Sequence, residues 1–211
     1  RSFDASDGFP PTEWVYGMAE SADGALWVAA SVNRVVRVGP DGRARAFGRN
    51  EGLPGSLVTD VLSPLHGEGP LVCTRTGLFR RKNGRFVPEP LPKGVHADLD
   101  SALDSPAGLY VATWNRGLYL VRDGKGVRVA PPVGPVVEAL AIRKDGRVWC
   151  GGAGFGIVLL DAGRPVEQLT VRDGLPSDHV NGILEDSRGA LWVATESGVW
   201  CRRPDGSTLR L

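Results

Sequence analysis

Val180-Asn181-Gly182-Ile183-Leu184-Glu185-Asp186-Ser187-Arg188-Gly189-Ala190-Leu191-Trp192-Val193-Ala194-Thr195, then Ser197-Gly198-Val199-Trp200 and a turn at Asp205-Gly206, is the stretch that decides the fold. Its apolar runs are four to six residues long, the length of strands and too short for independent helices. Near-copies of its second run recur at Ala25-Leu26-Trp27-Val28-Ala29, Pro70-Leu71-Val72-Cys73-Thr74, Gly108-Leu109-Tyr110-Val111-Ala112-Thr113 and Arg147-Val148-Trp149-Cys150-Gly151. The large residues at equivalent places, Trp27, Leu71, Tyr110, Trp149 and Trp192, are separated by roughly 40 to 45 residues, the period of a four-stranded repeat.

Turn chemistry subdivides each unit. Between the first and second runs lie Asp23-Gly24, Gly67 to Gly69, Pro106 to Gly108, Asp145-Gly146 and Arg188-Gly189. Between the third and fourth lie Asp41-Gly42, Asn83-Gly84, Asp123-Gly124, Ala162-Gly163 and Asp205-Gly206. Asp-Gly and Asn-Gly supply the positive φ angles that two-residue hairpins demand. Two hairpins per unit make four antiparallel strands, a to d, and the five units predict an all-β chain: a β-propeller of five four-stranded blades, about 41 residues each. The blades are expected at residues 12–48, 56–89, 96–130, 135–171 and 179–211, with 1–4 an extra outer strand. A twisted sheet cannot bury both faces alone, so blades stack, and the bulky strand-b residue becomes the wedge between them. Trp27, Tyr110, Trp149 and Trp192 are therefore expected in the core, not on a base-stacking platform. Arg1 to Asp4 and Ser207 to Leu211 both read as an outer strand. The expectation is an excerpt of a larger propeller, or two termini competing for one sheet edge.

Composition agrees with many short strands. Among 211 residues, 42% are hydrophobic, and the 29 glycines and 16 prolines sit between apolar runs instead of forming a low-complexity segment. The 25 basic and 24 acidic residues nearly balance, which gives no steering toward nucleic acid or an anionic membrane. No apolar stretch approaches the roughly 20 residues of a membrane helix. Cys73, Cys150 and Cys201 lie in apolar strands without metal-like spacing and read as buried free thiols, which suit a reducing compartment slightly better than an oxidising one.

The connections between blades carry a recurring element: Asp7-Gly8-Phe9-Pro10, Glu51-Gly52-Leu53-Pro54 and Asp173-Gly174-Leu175-Pro176. The acid and glycine suit a turn, the Leu or Phe can plug between blades, and Pro sets the exit direction. With Glu185-Asp186, Gly189-Ala190-Leu191-Trp192-Val193-Ala194-Thr195 and Gly198-Val199, the pattern resembles the two-component regulator propeller repeat. The resemblance implies a ligand-sensing, extracytoplasmic (periplasmic) module of a bacterial signalling protein, not an enzyme, with no cofactor. A cytoplasmic location is the alternative. Leu71 and Tyr110 replace Trp in the second and third blades, and the linkers entering the third and fourth lack the acidic-Gly-Leu-Pro element. The first blade, through Ala25 to Ala30, Asn33 to Val38 and Pro40-Asp41-Gly42, is also similar to the metal-dependent streptogramin B lyases. Those enzymes commonly end the Trp-bearing strand with Glu, where this chain has Ala30, Thr74, Thr113, Gly152 and Thr195.

Propeller topology puts the strand d-to-a linkers and the b-to-c loops on one face. Asn33 and Arg34, Arg75 and Thr76, Trp114, Asn115 and Arg116, Phe155, Glu196, Asp178 and His179 are expected there. Of these, Asn33, Arg34, Arg75, Trp114, Asn115, Arg116, His179 and Glu196 are the candidate ligand-binding residues. A Trp beside Asn and Arg can stack on a sugar face while bonding its polar edge; the competing reading is that Trp114 plugs a blade junction. His179 with Glu196 or Asp178 could transfer protons, although a lone turn histidine is more often structural. His66, His96 and His179 fall at separate places and suggest no metal site. The expected partner is a small molecule, glycan or peptide at this face; a protein partner or self-association is the alternative, without nucleic acid or membrane insertion.

Overall fold

A computed structural model describes residues 5–10, 14–30, 33–64 and 69–211. The extra strand expected at 1–4, the loop histidine His66 and Gly67 lie outside these residues. The chain forms two compact units, Arg1–Asp104 and Ser105–Leu211. Its strands make five four-stranded antiparallel sheets, each in simple sequence order, the all-β propeller class expected. The first sheet holds β1 (Val15–Glu20), β2 (Leu26–Ala30), β3 (Arg34–Val38) and β4 (Ala44–Phe47). The second holds β5 (Val58–Leu62), β6 (Leu71–Thr74), β7 (Gly77–Lys82) and β8 (Arg85–Glu89). The third takes β9 (Leu99–Ser105), β10 (Gly108–Thr113), β11 (Gly117–Arg122) and β12 (Lys125–Arg128). The fourth has β13 (Val137–Ile142), β14 (Val148–Gly152), β15 (Ile157–Asp161) and β16 (Arg164–Leu169). The fifth has β17 (Val180–Glu185), β18 (Leu191–Thr195), β19 (Gly198–Arg202) and β20 (Thr208–Arg210).

Within the first unit, the core between sheets one and two joins Trp27, Val35 and Phe47 to Val58, Val72 and Phe86. Trp27 stands 5.4 Å from Phe47 and meets Phe86 edge-on at 6.4 Å, geometries that suit the aromatic quadrupole. The Arg81 guanidinium of β7 lies 5.6 Å from the Trp27 ring, and burial holds its pKa below the usual arginine value. The second unit repeats the device. Trp149 packs with Leu191, Val193 and Trp200 of the fifth sheet, and Arg202 of β19 lies 5.7 Å over its ring.

The linker plugs do what their composition suggests. Leu53 and Leu175 are buried in these two cores, and Phe9 packs partly on the opposite face of sheet one. The acids of the second and third linkers organise their turns: Glu51 Oε2 accepts the Gly48 N–H at 2.7 Å, and Asp173 Oδ2 accepts the Thr170 N–H at 2.9 Å. Gly52, at φ 99°, then turns the chain where a Cβ would run into the Phe86 carbonyl.

Two expectations need correction. Trp192 is only partly buried, because cross-strand register puts it with Leu184, Cys201 and Leu209 on the face of sheet five turned away from the fourth sheet. Leu184 on that face is 60% exposed. The turns also divide into two kinds. Asn83-Gly84, Asp123-Gly124 and Ala162-Gly163 have positive φ at both residues, as two-residue hairpins require. At Asp23-Gly24, Asp41-Gly42, Asp145-Gly146 and Asp205-Gly206 only the glycine is left-handed. There the aspartate carboxylate accepts the backbone N–H two residues on, at 2.9 to 3.2 Å, closing a longer loop as an Asx turn.

Candidate functional site

The b-to-c loops and the inter-sheet linkers come together in both units, and backbone hydrogen bonds stitch them. In the first, the Arg75 N–H donates to Leu57 O, Asn33 Nδ2 donates to Gly55 O at 3.1 Å, and the Ser56 and Thr76 hydroxyls stand 2.8 Å apart. In the second, Gly117 N–H donates to Pro135 O, Gly154 and Gly156 N–H both donate to Asp178 O, and Glu196 N–H donates to His179 O. The b-to-c loops of sheets one, three and four lean on the linker that follows their own sheet, and those of sheets two and five on the linker that precedes it.

Asn33 and Arg34 open onto a cleft of about 430 Å³ whose other wall is the linker turn Arg49 to Glu51. Asn33 sits at φ 60°, a left-handed conformation that Asn tolerates, and this turns Arg34 outward. The Arg49 guanidinium lies against Gly55, where any side chain would collide with it. The cleft is polar and open, with cationic and amide groups converging on it. Arg49, Asn50 and Glu51 are absent from the sequence-based set because the linker reads as turn chemistry alone.

Arg75 belongs to a different constellation. Its guanidinium contacts Asp98 and Asp100, each at 3.3 Å, so a ligand there meets an ion-paired cation. Asp60 of β5 lies beside this pair. Its Oδ1 accepts the Val61 N–H at 2.8 Å, yet burial pushes its carboxyl up to about 7, with Asp100 adding to the rise. Gly17 of β1 makes the room, since a Cβ there would overlap the Asp60 carboxylate. An acid in the apolar run Val58-Thr59-Asp60-Val61-Leu62 was the signal available in the sequence. Burial and these carboxylates also push the Cys73 thiol well up, which makes it a poor nucleophile; Cys150 is raised to about 12 by burial.

In the second unit Trp114, Asn115 and Arg116 form the exposed turn between β10 and β11, with Trp114 53% exposed. Phe155, by contrast, is buried against Gly134. His179 Nδ1 and Glu196 Oε2 stand 3.8 Å apart with both side chains well exposed. Asp178 is a scaffold group: its Oδ1 accepts the Val171 N–H at 2.8 Å. No cluster of three or more His, Cys, Asp or Glu suited to a metal ion occurs among the described residues.

Three of the five strand ends where the lyases carry glutamate hold a different device. Thr74 and Thr195 hydroxyls each donate at 2.8 Å to the carbonyl of the glycine three residues on, Gly77 and Gly198, and Thr113 donates to Gly117 O at 2.9 Å. Gly77 and Gly198 hold φ values of 142° and 128°, which side-chain-bearing residues rarely adopt.

Residues 174–197 match the two component regulator propeller family. No curated protein matches the chain. Among solved structures, the extracellular domain ascribed to the hybrid two component system BT4673 of B. thetaiotaomicron superposes with a TM-score of 0.71 at 21% identity, covering 92% of this chain and 27% of that one. The corresponding domain of BT3049 from the same organism gives 0.76 at 16% identity, covering 99% of this chain and 31% of that one. A streptogramin B lyase gives 0.64 at 14% identity, covering 95% and 83%. At these identities the likeness is one of fold, and the chain spans less than a third of those two extracellular domains.

Proposed function

We propose that this chain is a non-enzymatic, ligand-binding segment of a bacterial sensor protein, working outside the cytoplasm. The observation that carries the reading is the exposed turn Trp114-Asn115-Arg116, which presents a half-exposed aromatic side chain in the same turn as an amide and a guanidinium. A half-exposed indole with planar hydrogen-bonding groups in the same turn suits a sugar or peptide, stacking on its apolar face and bonding its edge. The family match over 174–197 and the fold shared with extracellular sensor domains support the same direction. The cleft beside Asn33 and Arg34 is the second place where polar groups converge. Against an enzyme of the lyase type stand the strand ends themselves, where Ala30, Thr74, Thr113, Gly152 and Thr195 take the place of the acid.

Calorimetric titration of the chain with a panel of mono- and oligosaccharides and short peptides tests the proposal. Binding is expected, weakened by Trp114→Ala and by Arg116→Ala. Unchanged affinity in both variants removes these residues from the site. If no small molecule binds, a scaffold for a protein partner or for self-association takes its place. Magnesium-dependent bond cleavage lost in His179→Ala would overturn the non-enzymatic assignment.

A further inference from the structure

A second groove lies away from these loops, wholly within the second unit. It runs between β12 and the turn Ala162-Gly163, with a volume of about 390 Å³. Its floor is apolar: register puts Leu120, Val127 and Val129 on one face of the β11–β12 hairpin, and Val127 is 65% exposed. Its rim is cationic, with Arg122, Lys125 and Arg164 set against the single carboxylate of Asp123, while the Arg128 side chain points to the other face, toward Gly117. Asp161 faces Arg164 in the hairpin register but does not line the groove.

The backbone beside it is available for pairing. β12 is the outermost strand of its sheet. The Val129 N–H donates to Leu118 O at 2.8 Å, which sets the phase of the β11–β12 ladder. Stepping along by twos, Val127 and Lys125 bond inward to β11, while the N–H and C=O groups of Gly126 and Arg128 point outward. The outer strands β8 and β16 contain Pro88 and Pro165, which cannot donate; β12 contains none. Lys125 and Arg128 on this edge repel a similarly charged strand, the usual protection against indiscriminate pairing, and attract an acidic one.

We infer that the groove along β12 is a docking site for an extended acidic peptide, which adds as an outer strand to the third sheet through the outward backbone groups of Gly126 and Arg128. Main-chain bonds supply the pairing, the Leu120–Val127 floor takes apolar side chains, and Arg122, Lys125 and Arg164 select carboxylates.

The probe is a fluorescent synthetic octapeptide alternating Val and Glu, titrated into the full chain by anisotropy, beside the same peptide with Lys for Glu and a heparin-derived tetrasaccharide. The acidic peptide is expected to bind and the lysine peptide not to. Binding should weaken about tenfold in the double variant Arg122→Glu with Arg164→Glu, and fall with added salt as charge steering requires. Gly126→Pro removes an outward donor at a position whose φ is not positive, and should weaken binding by a comparable factor while circular dichroism stays unchanged. The inference is overturned if the acidic peptide fails to bind, if the lysine peptide binds equally, or if only the tetrasaccharide binds. Full affinity in a folded Gly126→Pro protein overturns strand addition.

Discussion

The Tyr110 hydroxyl accepts a hydrogen bond of 2.8 Å from the backbone N–H of Gly163, so a side chain of β10 holds the outer hairpin of the fourth sheet. The bulky strand-b residue thus acts on the next sheet as Trp27 and Trp149 do, but through a polar contact. Burial pushes the phenol pKa up, so it stays neutral through physiological pH. Tyr110→Phe leaves the Gly163 N–H without its partner, and an unsatisfied, part-buried donor costs about 1 to 2 kcal/mol. Urea unfolding of the variant against the parent measures that loss.

The two ends of the tryptophan series should differ in energetics. Trp27 is enclosed by Phe47, Phe86 and Arg81, and its replacement by Ala should cost about 3 to 5 kcal/mol. Trp192 is partly exposed and bonds Asp186 Oδ2 through Nε1 at 3.1 Å. With less area to lose, Trp192→Ala should cost about 2 kcal/mol or less. Equal losses in denaturant melts would contradict the burial difference.

Asp60 should make stability depend on pH. Its carboxyl titrates at about 7 in the fold against an ordinary 3.8, because burial disfavours the charge. Between these values the native protein holds a proton that the unfolded chain has released. Stability from this group is therefore full below pH 3.8, falls as pH rises toward about 7, and levels off above. In Asp60→Asn that component of the slope should disappear, which chemical denaturation at pH 5 and pH 8, run on both proteins, detects.

The Thr-to-Gly turn locks make separable predictions. Thr195→Val removes a hydroxyl that donates to Gly198 O and should cost about 1 kcal/mol. Gly198→Ala puts a Cβ on a backbone at φ 128°, and should cost about 1 to 3 kcal/mol by strain. If the alanine variant is as stable as the parent, the glycine is not required by its backbone angle.

The division between what was legible and what was not follows from the range of the interactions. The repeated apolar runs, the paired turns, and the Gly-Leu-Pro linkers with their plugs at Leu53 and Leu175 are local, and the sequence by itself determined five four-stranded sheets and the faces of their strands. It also indicated which loops gather, because the order a, b, c, d puts the loop after Thr74 or Thr113 beside a linker. Only tertiary structure decided which face of a sheet is covered. Trp27 and Trp192 have the same local pattern, yet one meets a neighbouring sheet and the other stands on the face turned from its neighbour. The same holds for charge. Arg75 reads as an available cation until Asp98 and Asp100, more than twenty residues on, fold against it. Asp60 reads as a strand polar residue until burial beside Asp100 moves its titration to about 7. Strand pattern is set between neighbours in the chain, whereas burial and pairing of charge are set by residues that meet only once the sheets have stacked.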